Sequence, residues 1–81
     1  IMQFGSQWKL NQLLNIRRTI NYKFQKGKLK RVRDLDFNQW IIEEMKNNYE
    51  LDYLKDPMEE VSAEQIRAIL SKLNLFINDI L

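Results

Sequence analysis

Neither cysteine nor histidine occurs among the 81 residues. The first absence excludes disulfides and thiolate chemistry. The second removes the commonest metal ligand and the side chain most used as a general base near neutral pH. Glycine appears twice and proline once, too few for a glycine-rich phosphate loop or a proline-rich linker. No apolar run approaches the ~20 residues of a membrane-spanning helix, and the N-terminus lacks the profile of a signal peptide. The most informative absence is of one charge sign. Residues 1–33 hold nine Lys or Arg and no acidic residue, whereas residues 34–81 hold four basic and eleven acidic ones. The net charge of +2 conceals this split.

Hydrophobic residues at 44 % and charged residues at 30 % fit a folded chain rather than a disordered one. The length suits one domain over residues 1–81, with a single modest core. Because the chain opens at Ile1 and stops at Leu81 within an apolar stripe, it reads as part of a larger protein, or as one whose last turn a partner covers.

The strongest local signal lies at Val61–Leu81. Ser62 and Gln65 have the spacing of a capping box, and Val61 with Ile66 that of a hydrophobic staple. At 100° per residue, Ala63, Ile66, Ile69, Leu70, Leu73, Phe76, Ile77, Ile80 and Leu81 share one stripe. Such a helix needs the rest of the chain to cover it.

Ser6 is placed to cap a first helix running to about Gln25, with Leu10, Leu13, Leu14, Ile20 and Phe24 on its apolar face and Ile16 at the margin. Trp8 and Tyr22 lie off that face, in positions suited to secondary packing contacts. Gly27 supplies a C-terminal stop. In Lys28–Leu35 the apolar residues Leu29, Val32 and Leu35 recur every third position, as in a pinned connector or a short helical turn. Asp36 and Gln39 suggest a second capping box for a helix over 36–48 whose inner face carries Phe37, Trp40, Ile41 and Met45, flanked by Ile42 and Tyr49. Around 49–60 a short helix or turn carries Leu51, Tyr53 and Leu54 inward; Pro57 breaks it, and Asp56-Pro57 can open a further single turn. The expected fold is all-α, a small bundle of three main helices (about 6–25, 36–48 and 62–81) plus the short element.

Paired carboxylates occur at Glu43–Glu44 and Glu59–Glu60. Adjacent helical residues point about 100° apart, and glutamates are ordinary surface residues of helices. The acidic run from Asp52 to Glu64 lacks the glycine and oxygen-ligand spacing of a calcium loop. No motif for nucleophilic catalysis, metal or nucleotide binding is present, so neither catalysis nor a cofactor is expected.

The basic tract is the sharper signal. Arg17, Arg18, Lys23, Lys26, Lys28, Lys30, Arg31 and Arg33 follow one another with no intervening acid. Phosphate backbones reward such runs, because each neutralised phosphate releases condensed counterions. Tyr22 and Phe24 are interleaved and could stack on bases if exposed. Lys30-Arg31-Val32-Arg33, with Arg17-Arg18 upstream, also fits a nuclear-localisation pattern. The bland alternative is a solvated face balanced by the acidic half.

The reading is a non-catalytic, intracellular helical module that contacts nucleic-acid phosphates, with Arg18, Lys23, Lys26, Lys28, Lys30, Arg31 and Arg33 as the contacts. The alternative is an interaction or assembly domain whose basic edge docks an acidic protein and whose C-terminal helix makes a helix–helix contact. Finally, Arg17 and Glu44 each interrupt an apolar stripe, which suggests an ion pair setting the register of the first two helices.

Overall fold

A computed structural model describes residues 4–81. Three helices, α1 (Phe4–Gln25), α2 (Gln39–Asn48) and α3 (Ala63–Ile80), are joined by connectors that each contain one 3-10 turn, Val32–Leu35 and Asp52–Lys55. No strand occurs among the described residues, so the fold is all-α.

Helix α3 starts as the sequence requires. The Ser62 Oγ accepts from the Gln65 N–H at 3.1 Å, and the Gln65 side chain accepts from the Ser62 N–H at 2.9 Å. Two orphan donors of the first turn are thereby satisfied. Its stripe buries Ile66, Ile69, Leu73, Phe76 and Ile77, with Leu70 and Ile80 half-buried, while Ala63 and Leu81 at the two ends are exposed. Helix α1 packs most extensively on α3, contributing Leu10, Leu13 and Ile20 to the core.

The end of α1 is fixed by Gly27, whose φ of +67° is a left-handed conformation that side chains resist. With it, the Lys28 N–H reaches the Lys23 carbonyl at 2.9 Å and the Gly27 N–H reaches that of Phe24 at 3.2 Å. These are the two bonds of a Schellman stop. Leu29, Val32 and Leu35 then insert into the core one after another, so both readings of this segment hold: it is pinned at three points and it contains a helical turn.

Two expected caps are corrected. Ser6 lies within α1, not ahead of it, because the helix already runs at Phe4. Asp36 does not open α2. It sits at φ 56°, ψ 35° as the left-handed stop of the first 3-10 turn, and α2 begins three residues later with Asn38 as its cap residue. Sequence spacing alone could not tell a helix-opening aspartate from one that closes the preceding turn; both roles favour Asp. Likewise Asp56-Pro57 forms no helical turn. The Asp56 carboxylate accepts from the Met58 N–H at 3.0 Å and its carbonyl from the Glu59 N–H at 3.1 Å, a side-chain-braced reverse turn.

Helix α2 packs chiefly on the 52–55 turn and meets α3 through aromatic rings. Trp40 lies edge-on to Phe76 at 6.0 Å between centroids, and Tyr49 stacks on Phe76 at 5.3 Å. Trp8 of α1 covers the outer side of Trp40 at 5.6 Å although it is 53 % exposed. It makes the secondary packing contact expected of it.

The Arg17–Glu44 ion pair is also corrected. Arg17 donates to the Asn74 side chain of α3 at 2.8 Å, and Glu44 accepts from Asn48 on its own helix. The register between α1 and α2 explains why. Trp8 faces Trp40, Gln12 faces Asn38, and Lys23 reaches Asp36, so the two segments run in opposite directions. Glu44 therefore lies toward the start of α1, where it lines a shallow hollow with Lys9. Arg17 is eight residues further on, about 12 Å along the helix.

Candidate nucleic-acid interface

With Arg17 engaged by Asn74, the other seven cations of the basic tract divide into two populations. Lys23 and Arg31 are structural. The Lys23 ammonium donates to the Asp34 carbonyl at 2.7 Å and to the Asp36 carboxylate at 3.0 Å, clamping the end of α1 to the turn that follows. The Arg31 guanidinium lies 3.5 Å from the Glu60 carboxylate and donates to the Met58 carbonyl at 3.3 Å.

Backbone pairing reinforces the second contact. The Val61 N–H donates to the Lys30 carbonyl, the Val32 N–H to that of Glu59 and the Arg33 N–H to that of Pro57, each at 2.9 Å. The two connectors thus run side by side through a single antiparallel bridge between Arg31 and Glu60. Lys30–Arg33 is built into the fold, with Val32 buried, and could lie extended in a receptor groove only by breaking these bonds.

Asp34 organises the tract from within. One carboxylate oxygen accepts from the Lys30 and Arg31 N–H groups, each at 3.0 Å. These bonds hold its carboxyl below the ordinary aspartate value, helped by the nearby Arg33 and Lys23 charges and opposed by partial burial.

The second population is Arg18, Lys26, Lys28, Lys30 and Arg33. All five are exposed, and among the described residues none of them forms a salt bridge. Lys26 lies 5.8 Å from the ring of Tyr22, itself 56 % exposed. Phe24, the other aromatic of the tract, is half-buried against the core. Arg18 and Lys26 ride on or just beyond α1, while Lys28, Lys30 and Arg33 are held by the pinned connector. Three of the four paired carboxylates are occupied locally: Glu43 accepts from Gln39 at 3.0 Å, Glu44 from Asn48, and Glu60 faces Arg31.

Tertiary structure adds a feature that no local pattern announces. Between the first 3-10 turn, α2 and the second connector lies a half-open cleft of about 480 Å³. Arg33, Lys46 and Lys55 line it from three separate elements, over an apolar floor that includes Phe37, Ile42 and Leu54. Lys46 and Lys55 are isolated cations in the acidic half, with no local pattern to mark them.

No family model, curated protein or solved structure matches this chain. Among the described residues no helix is long and apolar enough to cross a membrane, and no three acidic side chains cluster as a metal site would require.

Proposed function

We propose that this is a non-catalytic helical module that binds nucleic acid through its phosphate backbone. The observation that supports the reading is the set of five exposed cations, Arg18, Lys26, Lys28, Lys30 and Arg33, free of salt bridges among the described residues. Arg18 is carried on α1, and the other four on backbone placed by the Gly27 stop, the Asp34 bonds and buried Leu29, so little backbone ordering is left to oppose binding. Lys23 and Arg31 support the surface rather than form it.

Salt dependence tests the proposal. If all five cations meet phosphates, the log–log slope of affinity against salt should be roughly −3.5 for a single strand and roughly −4.5 for a duplex. Charge reversal at Lys26 and Lys28 together should flatten the slope by roughly two contacts without lowering thermal stability. Affinity for polyanions that is flat with salt would discard the reading.

A second reading has its own observation. Leu75 and Leu81 of the C-terminal segment are exposed, at 48 % and 70 %, and would suit a helix–helix contact in an assembly. Such an apolar contact responds weakly to salt, so the same titration separates the two.

A further inference from the structure

We infer that the cleft between the first 3-10 turn and α2 is a pocket for one unpaired nucleotide of a single-stranded nucleic acid. The inference rests on the phosphate-binding reading and makes it more specific.

Three kinds of group converge there. Val32, Phe37, Ile42, Leu54 and Pro57 make an apolar wall that includes one aromatic ring. Gln39, Glu43 and Asp36 stand at the rim with amide and carboxylate groups. Arg33, Lys46 and Lys55 complete it, and among the described residues none of these cations forms a salt bridge. Asp36, by contrast, is offset by Lys23 at 3.0 Å, which leaves the Glu43 carboxylate as the one acid set against three cations. The unbalanced charge at the cleft is therefore positive. Three like charges gathered over an apolar floor favour an anion with an apolar body.

A nucleotide matches this combination better than a simple amphiphilic anion does. A fatty carboxylate would leave the rim carboxylates and amide facing hydrocarbon. A nucleobase brings ring N–H and amino donors for the Glu43 oxygen and the Gln39 amide oxygen that their mutual bond leaves over. Its flat face suits the apolar wall, and its phosphates suit the cations. The volume lies within the range of small-ligand pockets. Arg33 belongs to both the cleft and the exposed tract, so a strand lying along Lys28, Lys30 and Arg33 passes directly to the cleft mouth. A duplex cannot offer an unpaired base there; a single strand can.

The test compares three probes at each point of a salt titration: a thymidine or uridine strand of roughly ten nucleotides, the same strand with abasic residues throughout, and a duplex of that length. The base-bearing strand should bind on the order of tenfold more tightly than the abasic one. Phe37→Leu, which keeps an apolar side chain at that position, and the pair Lys46→Ala with Lys55→Ala should each remove most of that difference. Both variants should leave duplex affinity almost unchanged. Amide spectra of the folded protein titrated with the thymidine strand should shift Ile42 and Lys55, a readout independent of affinity. Equal affinity for base-bearing and abasic strands, with the salt slope intact, would overturn the pocket and leave the backbone reading standing. Absence of binding to all three probes at low salt would overturn both. Comparing the thymidine and uridine strands then assigns DNA or RNA.

Discussion

Lys23 and Asp36 meet at 3.0 Å, and the same ammonium donates to the Asp34 carbonyl at 2.7 Å. The last basic residue before the end of α1 is thereby tied to the first acidic residues of the chain. The polarity of the sequence is thus used inside the fold as well as displayed outside it. A charged donor with two oxygen acceptors is worth more than an exposed pair, because the half-buried ammonium is held by its geometry. Replacement of Lys23 by Met should lower stability by ~1–2 kcal/mol in a denaturant titration, whereas Lys26→Met should leave it within ~0.5 kcal/mol. The opposite ranking is expected in nucleic-acid affinity.

Asp34 gives a pH signature. Its folded-state pKa lies below the unfolded value of 3.8, so its contribution to stability is present above that value. It is lost as pH falls through the folded pKa. Stability of the parent should therefore decline below about pH 4 more steeply than that of Asp34→Asn, which retains an acceptor but has no charge to titrate. Acid titrations of both proteins followed by circular dichroism provide the check; superimposable acid limbs would remove Asp34 as the cause.

At the opposite end of the domain, Ser62→Ala should cost ~0.5–2 kcal/mol by thermal melt, since the Gln65 N–H loses its acceptor. Affinity for any ligand measured on folded protein should be unaltered.

Core replacements in α3 should grade with burial. Leu73, with no exposed surface, should cost ~2–5 kcal/mol on truncation to Ala, enough to unfold a domain of ordinary stability. Leu70, which is half-buried, should cost less. A Leu70→Ala variant weaker than Leu73→Ala would mean that the stripe is rotated from its present seat.

Double-mutant cycles distinguish the two partners considered for Arg17. The Arg17–Asn74 pair should show coupling of about 0.5–1.5 kcal/mol, from a single interhelical hydrogen bond. Arg17 and Glu44 should show none.

Much of the architecture was legible from the sequence. The hydroxyl–amide spacing of Ser62 and Gln65, the glycine at 27 and the three-residue recurrence of Leu29, Val32 and Leu35 are each local, and local chemistry reads directly from order. Where two local roles share a residue type, the sequence was ambiguous. Asp36 could open a helix or close a turn, and it closes a turn. Arg17 and Glu44 each looked out of place, but pairing them required a register that only packed helices define.

The candidate site divides along the same line. That the first 33 residues are basic, and that an α3 stripe demands cover, the sequence determined by itself, because charge and periodicity are properties of order. Which cations are engaged was decided by the tertiary structure: Arg31 is held because the connectors pair backbone to backbone, and Lys23 because the first 3-10 turn folds back on the end of α1. The convergence of Arg33, Lys46 and Lys55 on one cleft was decided there too. The seating of α2 on the 52–55 turn brings Lys46 to Lys55, through apolar contacts that carry no directional signal in sequence, and the pairing of the two connectors brings Arg33.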